Sequence, residues 1–188
     1  AKVIKITGIG EIEWKRNHRA RNLNLSVEPF TGIQVTVPPG IPLIQVKSFI
    51  TSKKSWIVKH LKQAREMEQK RHQVAELIDR IDTVKAANEL MGELARLADR
   101  YGFHFRKVSV RNQKTRWGSC SADNNISLNI NLVHLPEKLL RYVLLHELVH
   151  TRIKNHSRKF WNEMDRLMGD AKDLRKKLNE FSYLLLKG

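Results

Sequence analysis

Residues 146–161 read His146-Glu147-Leu148-Val149-His150-Thr151-Arg152-Ile153-Lys154-Asn155-His156-Ser157-Arg158-Lys159-Phe160-Trp161. The first five decide the fold. On an α-helix, residues four apart lie on one face, one turn up. His146 and His150 can therefore grip one metal ion between their imidazoles. Glu147 projects from the same turn, near a water held by that ion. Two His ligands and a Glu that takes a proton from water make the zinc-hydrolase arrangement. The chain holds eight histidines and twelve glutamates among 188 residues, and H-E-x-x-H arises by chance roughly 0.02 times in such a composition. The competing reading is a buried helix whose histidines are merely hydrogen-bonded. Leu144, Leu145, Leu148 and Val149 do make the helix apolar. Burying two His and a Glu, however, demands a partner for every polar group.

A zinc site of this type needs a third protein ligand and an open position. His156 follows His150 at the spacing of H-E-x-x-H-x-x-G-x-x-H, but Ile153 stands in the Gly position. A straight helix would carry His156 about 9 Å further along and roughly 120° around. The chain must therefore break and fold back. Asn155 tolerates the left-handed conformation that ends helices, and Ser157 can cap the next one. Two alternatives stay open: His156 as an exposed turn residue, and Glu163 from the following helix as the third ligand.

Working upstream, Pro136 and Glu137 open the motif helix, with Pro in a favoured first-turn position. Ile126, Leu128, Ile130 and Leu132 alternate with polar residues and read as a strand, and so do Val108 and Val110. Ala122–Asn125 supplies turn chemistry between strands. Val84–Tyr101 reads as an amphipathic helix with Ala87, Leu90, Met91, Leu94, Leu97 and Ala98 on one face, stopped by Gly102. Downstream, helices are expected near Ser157–Met168 and Asp173–Leu186. Between strands, Gly118 leaves room for close backbone approach. Arg116, Trp117, Gly118 and Ser119 are candidate substrate contacts, for a substrate lying extended as an added strand. Cys120 reads as a small buried residue rather than a nucleophile. Arg116 and His134 are the available carbonyl-polarising candidates.

The first third is β-rich. Leu23, Leu25 and Val27, then Ile33, Val35 and Val37, alternate on either side of Glu28–Gly32, a hairpin signal. Lys2–Ile6 and Glu11–Trp14 are further strands, and helix follows from Pro42 to Arg80. The expected division is an N-terminal β-rich lobe with helical linker at 1–82 and a catalytic region at 83–188. The net charge is +16. Residues 1–60 hold ten Lys/Arg against three Asp/Glu, residues 61–100 balance, and residues 101–188 hold seventeen against eight. Such a surface serves solubility or gathers anions. One cysteine excludes an intrachain disulfide and predicts a reducing compartment, the cytoplasm. No apolar run is long enough to span a bilayer. The N-terminal AKVIKITGIGEIEW has no signal-peptide core.

Several segments together carry a family resemblance. Arg116–Ser121 reads R-W-G-S-C-S, Ile126–Asn129 reads I-S-L-N, and H-E-L-V-H is followed by N-H-S-R-K-F-W at Asn155–Trp161. Upstream stand R-N-H-R-A-R-N-L-N-L at Arg16–Leu25, V-T-V-P-P at Val35–Pro39 and K-K-S-W-I at Lys53–Ile57. The chain thereby resembles the YgjP-like metallopeptidases, relatives of SprT-like proteins, over nearly its whole length. The resemblance implies an α+β, zincin-like (minigluzincin-like) core of a small sheet plus the HExxH helix. It also implies His146, His150 and His156 as ligands of one zinc ion per chain, and Glu147 as general base. The expected activity is hydrolysis of a peptide or protein substrate. Two alternatives stand beside it: hydrolysis of an anionic small molecule such as a nucleotide, and an SprT-like protease held non-specifically on nucleic acid. No membrane partner is expected, and oligomeric state is left open.

Overall fold

The structure is a computed structural model that describes residues 2–186. The chain divides between Gln73 and Val74 into two compact units.

In the first unit, β1 (Lys2–Ile6) and β2 (Gly10–Arg16) form an antiparallel pair. β3 (Asn24–Glu28) and β4 (Gly32–Val37) form the hairpin that their alternation predicts, with Leu25 opposite Val35 and Val27 opposite Ile33. Phe30 and Gly32 in the turn take positive φ values of 62° and 74°. The sheet order is β1-β2-β4-β3, so β2 runs parallel to β4. Arg16 ties this junction by donating to the carbonyls of Pro38 and Ile41 at 3.2 and 3.0 Å. One sheet face carries Ile4, Ile12, Ile33, Val35 and Val37. It is packed under Val46 and Ile50 of α1 (Leu43–Ser52) and Ile57 of α2 (Lys54–Gln73). Beyond Ala64, α2 has no fully buried residue, as its charged sequence predicts.

The second unit begins with α3 (Ala75–Asp79), whose Ile78 already belongs to that unit's core. α4 (Thr83–Tyr101) starts at Asp82, whose carboxylate accepts from the Val84 and Lys85 amides at 3.1 and 3.0 Å. It ends at Gly102 in the left-handed region, φ 67°. β5 (Lys107–Arg111), β6 (Gly118–Cys120) and β7 (Asn125–Asn129) form a sheet in the order β5-β7-β6, with β6 at an edge. The core joins Leu90, Leu94 and Leu97 of α4 to Ile126 and Leu128 of β7. It continues through Leu144, Leu145 and Leu148 of α5 (Glu137–Val149) to Phe160 and Met164 of α6 (Arg158–Met168). α7 (Ala171–Asn179) adds Ala171 and Leu174. The architecture is α+β, and this unit sets a small sheet against the HExxH helix.

Three local expectations need correction. The strand expected through Leu132 stops at Asn129, and Ile130–His134 is a 3-10 helix. The fully buried Asn129 causes the change: its side chain donates to the Gln113 and Arg116 carbonyls and accepts from the Asn131 amide. Ile130 and Leu132 are still buried, but from a tighter backbone. The last helix stops at Asn179 rather than Leu186, and a short 3-10 turn at Ser182–Leu185 follows. On α4, Ala86 rather than Ala87 is buried.

Candidate metal centre and active site

α5 carries His146 and Glu147 in its last turn and ends with His150 at its C-cap. The chain then turns back. The Thr151 hydroxyl donates to the Leu148 carbonyl at 2.6 Å, and the Ile153 amide to Val149 at 2.9 Å. Two cations pin this turn from outside. Arg152 donates to the Gly102 carbonyl and lies 4.3 Å over the Phe103 ring. Lys154 donates to the Ser121 carbonyl at 2.8 Å and to the Asn124 side chain. The break is not the left-handed one expected at Asn155, because the only described non-glycine residues with positive φ are Phe30 and Asn124. The Asn155 side-chain oxygen instead accepts from the Ser157 amide at 3.2 Å. Ser157 precedes α6 without a side-chain cap. This Asx-type turn swings His156 back over α5.

The three imidazoles meet. Nε2 of His156 lies 3.1 Å from Nε2 of His150 and 3.1 Å from Nε2 of His146. Ligand nitrogens on one zinc, about 2.0–2.1 Å from it, are about 3.4 Å apart in ideal tetrahedral geometry. These two edges are slightly shorter than that spacing, and the candidate ligand atoms of the three histidines all lie within 4.8 Å of one another. Lone pairs so close repel unless a proton or a cation sits among them. Nδ1 of His150 faces the Ile153 carbonyl at 2.9 Å, which fixes that proton on Nδ1 and leaves Nε2 as a lone-pair donor. Phe160, fully buried, lies under all three rings with centroids 4.8, 4.5 and 4.7 Å from His146, His150 and His156. Burial, then the neighbouring His150, His156 and Arg175, push the His146 pKa down to about 3, so this imidazole is neutral across the physiological range. His150 and His156 are also lowered, first by burial. Neutral imidazoles are what a metal ion requires.

Glu147 is 5% exposed, and its Oε2 has no hydrogen-bond partner. Burial raises its pKa to about 8, opposed by the charge of Arg116. Gly118 on β6 makes room for it: a Cβ there would stand 2.7 Å from Oε1 and 2.8 Å from Cγ of Glu147. Asn129 fixes this approach, because it holds the loop before β6 through the Gln113 and Arg116 carbonyls, and its amide donates to Trp117 at 2.8 Å. The carboxyl, two of the imidazoles and the β6 backbone thus line one cavity of about 260 Å³.

Of the residues singled out from sequence, His146, Glu147, His156, Trp117 and Gly118 line this cavity. Arg116 is exposed and acts on Glu147 through its charge, while Ser119 pairs with Ser127 in the sheet. Among the described residues the possible metal-ligand cluster is His146, His150 and His156. Glu163 instead binds Arg166 through two hydrogen bonds, at 2.9 and 2.7 Å. His134, lowered in pKa by burial, lies off the cavity wall. Cys120 is half-buried, and burial raises its thiol pKa. Sequence reasoning missed Tyr142, Arg175, Leu178 and Asn179, which also line the cavity. Tyr142 was legible one turn before His146; the α7 residues had no local signal.

A family model described as YgjP-like, metallopeptidase domain, matches residues 21–80 and 67–181. Abylysin of Pyrococcus abyssi, known from the crystal structure of the metallopeptidase zymogen, is 26% identical with a TM-score of 0.42, over 47% of this chain and 90% of that one. The zymogen of Methanocaldococcus jannaschii jannalysin, also a metallopeptidase, is 26% identical with a TM-score of 0.37, over 54% of this chain and 97% of that one. No curated protein matches. Among the described residues, no helix is long and apolar enough to cross a membrane.

Proposed function

The chain belongs to the YgjP-like metallopeptidase family, and from that premise we propose that it is a zinc-dependent peptidase with His146, His150 and His156 as metal ligands and Glu147 as general base. The observation that carries this reading is the convergence of three Nε2 atoms beside a buried, unpartnered carboxyl oxygen. Three neutral imidazoles and no competing carboxylate suit zinc with an open fourth position. A bound zinc ion supplies Lewis acidity and lowers the pKa of water toward about 7.

The residues of the chain do the rest. Glu147, raised to about 8 by burial, is brought down by any nearby cation toward the range in which it both accepts and returns a proton near neutrality. Gly118 lets the carboxyl sit against the β6 backbone with no side chain between them. β6 is an edge strand, so its free backbone groups suit an extended peptide added as a further strand, with Trp117 flanking it. Phe160, fully buried, packs against all three imidazole rings and holds them in place.

Hydrolysis of a phosphate ester or anhydride is served best by a two-metal cluster. The candidate ligand cluster here contains three histidines and no carboxylate, which favours the peptide. The test is a turnover screen of the zinc-loaded protein against casein and nucleoside triphosphates. Casein cleavage abolished by chelation is expected; triphosphate hydrolysis without peptide cleavage would reverse the assignment.

A further inference from the structure

The cavity beside the imidazoles has one wall to which no task has yet fallen. α7 contributes Arg175, the only Lys or Arg among the residues lining it. Among the described residues Arg175 makes no ion pair or hydrogen bond. Arg166, by contrast, spends its donors on Glu163. What holds Arg175 is a ring: its guanidinium carbon lies 5.3 Å from the Trp161 ring centroid. Trp161 in turn stacks on His156, with centroids 5.7 Å apart and planes 26° from parallel. The cation is thus fixed relative to a candidate metal ligand through a single indole. Stacking on an aromatic face sets the position of a guanidinium while leaving its N–H donors unspent. An unspent fork of donors matches a carboxylate in bidentate fashion. The only carboxylate lining the cavity is Glu147, already packed against Gly118. The matching anion therefore comes with the substrate.

We propose that Arg175 is a specificity-determining residue that takes a carboxylate of the bound peptide, from its C-terminus or from an acidic side chain beside the scissile bond. This rests on the peptidase reading above. Trp161 then serves as the platform that presents the guanidinium, and the site prefers chain ends or acidic sequences over neutral internal ones.

The experiment measures binding, so it does not depend on turnover. Zinc-loaded Glu147→Gln protein is titrated calorimetrically with three probes: N-acetyl-Ala-Ala-Ala as the free acid, the same peptide as its amide, and N-acetyl-Ala-Glu-Ala amide. One carboxylate-bearing probe should bind at least about tenfold more tightly than the neutral amide, as a charge-assisted hydrogen-bonded pair gives. Which probe gains tells the chain end from the side chain. Adding Arg175→Gln should erase the gain, and Arg175→Lys should restore part of it. The neutral amide should bind all three proteins alike, a control that a structural defect would fail. Equal binding of all probes, or no measurable binding of any, overturns the proposal. So does a carboxylate preference that survives Arg175→Gln, because the metal would then be its source. Casein cleavage by the wild type without any carboxylate preference removes Arg175 alone; no peptide cleavage at all removes the reading beneath it.

Discussion

Gly118→Ala tests the link between the small sheet and the chemistry. The added Cβ would stand 2.7 Å from Oε1, 2.8 Å from Cγ and 2.9 Å from Cδ of Glu147. Carbon contacts are comfortable at about 3.5–4.0 Å, so the carboxyl or the strand must yield by roughly 1 Å. The backbone at Gly118 has no positive φ, so the cost is purely steric, about 1–3 kcal/mol for overpacking a tight site. Glu147 is 5% exposed and lines the cavity, so a retreat from the new methyl displaces its carboxyl from its present place. A catalytic group misplaced by about 1 Å loses about a hundredfold in rate. The three nearest atoms to the new methyl all belong to Glu147, so metal content should be unchanged. Metal analysis, turnover and melting temperature on one preparation separate the outcomes. The expected result is full metal, turnover down about a hundredfold, and a melting temperature lower by about 2–4 °C per kcal/mol lost. Turnover within threefold of wild type, with full metal, would refute the packing of Glu147 on Gly118.

The other expectations follow from the same residues. His150→Ala and His156→Ala should each lose tight zinc binding, read by elemental analysis after dialysis, whereas Glu163→Ala should keep it; a His156→Ala protein that keeps full zinc would return His156 to a turn residue. Cys120 has its pKa raised by burial, so its thiolate fraction near pH 7 is lower than that of a free thiol and rises only as pH climbs past the ordinary range; iodoacetamide at pH 7 should label it more slowly than it labels glutathione, and faster labelling would contradict its burial. The +16 charge should give weak, sequence-independent binding to polyanions that fades between 50 and about 200 mM salt; binding confined to one DNA sequence, or indifferent to salt, would contradict that reading.

The parts of the fold that sequence made legible are those written in local periodicity. Leu25, Val27, Ile33 and Val35 alternate because one sheet face is buried, and the hairpin follows. Gly102 ends α4 because the end of a helix needs a left-handed residue. The metal motif was legible for the same reason, since four residues make about one helical turn. What stayed hidden depends on partners far along the chain. The parallel pairing of β2 with β4 leaves no local mark. Alternation carried on through Ile130 and Leu132, but the Asn129 side chain captures the next turn and ends the strand. The turn that delivers His156 uses the Asn155 side chain rather than a left-handed backbone, and it is held by Arg152 and Lys154 through partners far along the chain. Arg175 reads in sequence as one more cation on a basic helix; only the packing of α7 beside α5 brings it to the cavity wall.

In the proposed reaction Glu147 moves protons for hydrolysis at a metal held by His146, His150 and His156. Glu147→Gln tests it most directly, because it keeps the shape at the Gly118 contact and removes the basicity. Zinc content and peptide turnover are measured on the same preparation, beside wild type. One zinc per chain, an unchanged melting profile, and turnover lower by about a hundredfold or more are expected. Retained turnover would contradict the assignment of Glu147 as base, and loss of zinc would make it a support of the metal instead.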